Sequence, residues 1–358
     1  MNNAGLYIHV PFCVKKCGYC DFYSVPYGEA AAYRYTEAAV RNIKAYAGRA
    51  IADTVYFGGG TPSLLPVECV RAILSAAREY LNLNAGEVTL EVNPDTVDAE
   101  KIAGYDKDIR LSFGLQSASD TELAFLGRTH TFGQARDAVT AAYSAGIKNI
   151  SCDLIFGLPG QTSESLSRTV RAVTSLPVTH ISAYILKVEK NTPFYSAGIQ
   201  LPDEDATAEM YLSLVSELDR LSFKQYEVSN FCKPGYECRH NLKYWRCEEY
   251  IGIGPSAHGF FGGKRYAVPP SAEEFTDSDL QEEAVTETAP GSFEEKAMLA
   301  LRLVPGLDLN LFPEHKHRVL GNAAPLRDGG FLRTDSNIIT LTPKGFLVSN
   351  TVIGRLLF

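Results

Sequence analysis

The sequence predicts an α/β protein: a parallel sheet curled into an open, six-unit partial barrel, with a smaller α+β module behind it. Three observations predict this. Apolar, β-rich runs alternate with amphipathic stretches up to residue 200, the pattern of a parallel sheet with crossover helices. Six such units are two short of a closed eight-fold barrel. A polar or glycine-rich motif ends or follows every run, at the rim where barrel sites gather.

The β-rich runs are 6–10, 54–57, 87–92, 109–113, 149–155 and 180–186. Between them, helical spacing of apolar residues marks 29–47, 66–81, 119–126, 132–145 and 163–175, with a short helix over 98–104. A last packing helix over 205–221 closes a first domain, 1–222. Residues 223–290 form an extension whose first part, 226–263, is rich in aromatics, Gly and Cys and has no helical period. Its second part, 271–290, carries seven acidic residues and no basic one, as a solvated linker does. The module 291–358 opens on Ser292-Phe293-Glu294-Glu295, a capping box. A hairpin over 331–341 and a helix after Pro343 complete a winged-helix-like pattern.

Of 358 residues, 45% are hydrophobic, enough for a large core. The net charge of −8 argues against nucleic-acid binding, and the C-terminal module has no basic face. No apolar stretch is long enough to span a bilayer, which leaves peripheral membrane contact open. No basic and apolar leader opens the chain, and eight cysteines without one fit a reducing cytoplasm.

Cys13, Cys17 and Cys20 form CxxxCxxC directly after the first strand. Three thiolates on one loop can hold three corners of a cubane iron–sulfur cluster, leaving the fourth iron open to a ligand. Three ordinary thiols, or part of a zinc knuckle, are the alternatives, although zinc prefers four ligands in paired CxxC spacing. His9 lies four residues upstream, in a strand expected to carry it away from the loop. Gly58-Gly59-Gly60-Thr61-Pro62 follows the second strand, where side-chain-free backbone admits a ligand and exposed N–H groups can bind it. Glu91, Gln116, Arg128 and Asp153 lie at or just beyond strand ends: carboxylates suit hydroxyls and a guanidinium suits a carboxylate. Each could equally be a surface residue.

CxxxCxxC resembles the radical-SAM family. With Ser112–Ser117 (SFGLQS), LGRTH and the run from Asp153 to Thr162, the resemblance narrows to the oxygen-independent coproporphyrinogen III oxidase group and covers nearly the whole chain. It implies a [4Fe–4S] cluster on Cys13, Cys17 and Cys20. It also implies S-adenosylmethionine (SAM) contacts from Tyr7, Tyr19, Gly59, Gly60, Thr61, Glu91, Gln116, Arg128 and Asp153, with Tyr184 on a looser alignment. Two departures separate the chain from the oxidases. Phe22 stands where they resemble CxxxCxxCxC, and the N-terminal arm before the first strand is short.

The segment His240-Asn241-Leu242-Lys243-Tyr244-Trp245 resembles the HNxxYW of the HemW-type heme chaperones. That resemblance implies heme as cargo near His240, Asn241, Tyr244 and Trp245, delivered to an apoprotein such as a respiratory heme enzyme. An imidazole can ligate iron and aromatics can pack a porphyrin, but a buried structural His with two aromatics is an equally physical reading. His258, in a glycine-bearing loop, is a candidate second heme ligand. Cys232, Cys238 and Cys247 flank the segment at spacings that fit no common zinc knuckle. His315 and His317 are expected to face solvent. The oxidase activity, radical decarboxylation of coproporphyrinogen III, is the alternative function, and a zinc scaffold a third. The chain is expected as a monomer or a cofactor-dependent dimer.

Overall fold

A computed structural model of the protein describes residues 2–83 and 86–358. Six parallel strands form the heart of the molecule: β1 (Asn2–Val10), β2 (Ala50–Gly59), β3 (Glu87–Val92), β4 (Arg110–Gln116), β5 (Asn149–Phe156) and β6 (His180–Ile185). They lie side by side in chain order. Each connection carries a helix, among them Glu29–Lys44, Val67–Tyr80, Phe132–Ser144 and Ser163–Thr174. Thr131 and Thr162 start the last two with reciprocal capping boxes, each worth about 1 kcal/mol.

Strand alternation decides what faces the site. On β1, Leu6, Ile8 and Val10 are fully buried and belong to the same core as the crossover helices. The alternate residues, Tyr7 and His9, look inward. Tyr7 pairs in register with Tyr56 of β2, Glu91 of β3 with Ser112 of β4, and Asp153 of β5 with Ser182 of β6. The inner face is therefore polar from strand to strand. Its lower half closes on itself: Arg110 pairs with Glu87 at 3.0 Å, both buried, and His180 bridges Ser151 and Tyr226 at 2.8 Å each. These pairings fill the lower half with buried polar side chains, although Arg110 Nε and Nη1 are left without partners.

The region 223–290 is more regular than its sequence texture. It supplies six strands of the twelve-stranded sheet. Lys224–Gln225 and Asn230–Cys232 extend it beyond β6. Tyr250–Ile253 pairs parallel with β1 and leads into an antiparallel ribbon through His258–Phe261, Lys264–Ala267 and Ala284–Glu287. Nor is the acidic stretch a free linker. It holds the helix Ala272–Asp277, Gln281 donates to the Gly252 carbonyl at 2.8 Å, and Tyr46 donates to Glu283.

In the C-terminal module, Leu307–Asp308 adds a third strand to the hairpin Leu332–Asp335 and Ile338–Leu341. Ser292 caps its helix through Glu295 N–H, but the Glu295 carboxylate turns to Gly291 N–H and Arg265 instead of completing a capping box. His315 does not simply face solvent; it stacks flat on Phe293, centroids 3.8 Å apart.

Candidate functional site

At the C-terminal rim of β1–β6 lies a cavity of about 440 Å³. Cys13, Cys17, Cys20, Tyr19, Gly59, Gly60, Thr61, Glu91, Gln116, Arg128, Asp153 and Tyr184 all line it. Six separate strand ends have thus brought the sequence candidates into one chamber. Tyr7 is the exception. It lines the neighbouring cavity, with its hydroxyl on His9 Nδ1 at 3.1 Å.

The cysteine loop is fastened from both sides. Gly18 N–H donates to the Leu126 carbonyl at 3.2 Å, and Phe194 N–H donates to the Gly18 carbonyl at 2.9 Å. Gly60 and Thr61 N–H donate to Val10 and Phe12 carbonyls at 2.8 and 2.7 Å. This corrects the expectation of exposed donors in the glycine loop: those two are spent holding the cysteine loop. A Cβ at Gly60 would lie 2.6 Å from the Phe12 carbonyl oxygen, so only glycine permits this approach. Gly59, at φ +109°, would put a Cβ 2.8 Å from the His9 ring. His9 itself is not carried away from the loop. Its Nε2 meets the Tyr23 carbonyl at 3.3 Å, so both ring nitrogens are engaged.

Arg128 ties the chamber together. It donates to Cys17 Sγ at 3.6 Å, to the Gly114 carbonyl at 2.8 Å and to Asn93 Oδ1. Its buried Nε has no partner. Gln116 sits at φ 68°, where the β4–β5 register slips. A left-handed glutamine is strained, and such bulges re-aim side chains beside active sites. Tyr56 donates to Glu91 at 2.8 Å. Burial, then the charge of Asp153, pushes the Glu91 carboxyl up to about 8. Burial raises Asp153 to about 6, against hydrogen bonds from Ser182 and Ser112.

Two under-neutralised carboxylates, an unpartnered guanidinium nitrogen and three thiols on one wall fit a cationic, hydroxyl-bearing ligand beside a thiolate-bound cluster. Among the described residues no three Cys, His, Asp or Glu side chains converge as the ligands of one metal ion would. Cubane ligands stand on different irons and need no such convergence. Cys232, Cys238 and Cys247 do not gather either: Cys238 Sγ donates to Glu87 at 3.4 Å, while Cys247 Sγ accepts from Arg265 at 3.8 Å.

The raised carboxyl has a measurable consequence. Between pH 4.5 and 8 the unfolded chain has released the Glu91 proton while the folded chain retains it. Stability without ligand therefore falls as pH rises through that window, by on the order of 1–3 kcal/mol because Glu91 is only half-buried at the cavity wall. Glu91→Gln is expected to flatten this slope in urea melts from pH 5 to 8. An unchanged slope would contradict the assignment.

The HNxxYW segment forms the helix Arg239–Trp245, docked through Glu87, whose carboxylate accepts the N–H groups of Arg239 and His240 at 3.2 and 3.1 Å. His240 is fully buried. Its Nδ1 meets Thr54 Oγ1 at 2.9 Å and its Nε2 the Tyr244 hydroxyl at 2.8 Å. Desolvation drives its pKa down to about 3. The expected heme imidazole therefore has no free nitrogen in this fold. Asn241 and Trp245 line neither cavity, and Trp245 packs beside Arg302 at 5.9 Å. Only Tyr244 reaches a cavity wall.

Tyr56 and Asn93 also line the chamber; Asn93 is a polar strand-end residue like Glu91, whereas no motif marks Tyr56. Tyr56 shares the inward parity of Gly58, and that parity was the available signal. Asn93 closes β3 two residues beyond Glu91.

The Radical SAM superfamily model matches residues 7–173, so fold and cysteine loop place the chain in the radical-SAM class, which implies an iron–sulfur cluster and SAM. The chain is 34% identical to the heme chaperone HemW of Bacillus subtilis over 98% of both chains. It is 36% identical to that of Mycobacterium tuberculosis H37Rv over 99% of this chain and 94% of the relative. Coproporphyrinogen III oxidase (HemN) from Escherichia coli superposes with a TM-score of 0.82 at 21% identity, over 99% of this chain and 90% of that one. That likeness shows the fold alone. With relatives of this identity and coverage, the chain belongs to the HemW family of radical-SAM proteins.

Proposed function

We propose that this protein is a heme chaperone. It holds a [4Fe–4S] cluster on Cys13, Cys17 and Cys20 and SAM against Gly59, Gly60, Thr61, Glu91, Gln116, Arg128 and Asp153. It binds heme and passes it to heme-dependent apoproteins. One observation supports the reading: the three cysteines, the glycine loop and the polar strand-end residues line a single cavity, in a chain whose full-length relatives are named heme chaperones and which has Phe22 where the oxidase resemblance expects a further cysteine. When bound, the cluster supplies an open iron corner and reducing electrons. The chain's own residues clamp the ligand's charged ends and orient the loop. No helix among the described residues is long and apolar enough to cross a membrane, so contact with a membrane-bound recipient would be peripheral.

The test is a paired assay under anaerobic conditions. Heme-loaded protein mixed with an apo-heme protein should transfer its heme. Coproporphyrinogen III with SAM and reductant should yield no protoporphyrinogen. Turnover of coproporphyrinogen without heme transfer would replace this reading with the oxidase.

A further inference from the structure

A second cavity, of about 390 Å³, lies on the other side of the cysteine loop. Phe22 forms a wall of both chambers. The rest of the second wall is unusually aromatic: Tyr7, Tyr23, Tyr244 and Tyr250, from four separate segments. Tyr244 and Tyr250 meet edge to face at 4.6 Å. Tyr23 is pinned by donation from Ala272 N–H to its hydroxyl at 3.0 Å. Rings with polar tips suit a flat ligand that is apolar across its face and polar at its edge.

The same cavity holds one uncommitted imidazole. His9 lines it, but both its nitrogens are engaged by Tyr7 and Tyr23. His258, at the start of the strand His258–Phe261, is exposed at the mouth, and its ring makes no side-chain hydrogen bond among the described residues. A neutral, accessible imidazole is the common axial ligand of heme iron. An open mouth also suits a cargo that must leave.

We propose that this second cavity is the heme seat and that His258, not His240, ligates the iron. This rests on the heme-binding reading above. His240 instead anchors Tyr244 from behind, which puts the HNxxYW segment into the cavity through its tyrosine. Asp21, also in the lining, disfavours a second carboxylate, so the propionates belong on the solvent side.

The test is heme titration of the cluster-loaded protein, read by Soret position, by electron paramagnetic resonance and by affinity. Wild type should show an imidazole-ligated spectrum. His258→Ala should lose it and bind roughly tenfold or more weakly, and added imidazole should restore the spectrum. The cluster absorption of the same sample reports that the variant is folded. Loss of the imidazole-ligated spectrum in His240→Gln but not in His258→Ala would return the ligand to His240 and overturn the assignment. A His258→Ala protein with unchanged spectrum and affinity overturns the assignment while leaving the chaperone reading intact. A tyrosinate-type spectrum in wild type also overturns it. A wild-type protein that binds no heme removes both.

Discussion

Cys17→Ala is expected to turn the brown, anaerobically reconstituted protein colourless, with iron falling from about four per chain to below one. The loss should be all-or-none because the loop offers only three thiols. Removing one leaves two irons without protein ligands, and the other five cysteines are committed elsewhere: Cys69, Cys152, Cys232 and Cys238 are buried, and Cys247 lies against Arg265. Cys17 also carries the hydrogen bond from Arg128, so its loss frees the guanidinium that orders the chamber. Iron analysis and visible absorption, with circular dichroism to confirm folding, check the outcome. Four irons retained in the variant would place the cluster elsewhere.

Arg128→Leu should have the next largest effect. Its guanidinium is the buried cation that faces Asp153 and holds Cys17, Asn93 and Gly114 in one arrangement. Removing it leaves the buried Asp153 carboxylate without the cation that compensates it. Breaking such a buried arrangement costs about 3 kcal/mol, roughly 150-fold in SAM affinity. Asp153 loses the cation that restrains its pKa, so the variant's SAM binding should weaken further below neutral pH as the carboxylate takes up a proton. Anaerobic calorimetry at pH 6 and pH 8 checks both statements, and Arg128→Lys should recover part of the affinity because it restores charge but not the fork. Equal affinity in wild type and Arg128→Leu would remove Arg128 from the site.

The barrel was legible because its strands are long and their outward face is uniformly apolar. The run 87–92 coincides with β3, and the others start or end within a few residues of the observed strands. The chamber was legible for the same reason, since polar residues at strand ends have only one rim to occupy. The strands of 223–290 were not. They are two to four residues long and carry Gly252 and Gly259 inside them, too short to show a period. Gly252 and Gly259 are packing glycines: a Cβ would strike the His258 carbonyl at 2.1 Å or the Tyr266 ring at 2.1 Å. His240 was visible as a residue but not as a role, because partners such as Thr54 lie 186 residues away. Long-range partners decide whether an imidazole is a ligand or a buried strut, and no local pattern encodes them.

The most direct measurement is electron paramagnetic resonance of the reduced, reconstituted protein with and without SAM. A cluster held by Cys13, Cys17 and Cys20 alone should show a spectrum that shifts when SAM is added, because SAM takes the open iron. A spectrum indifferent to saturating SAM, or a metal centre with four protein ligands, would contradict it.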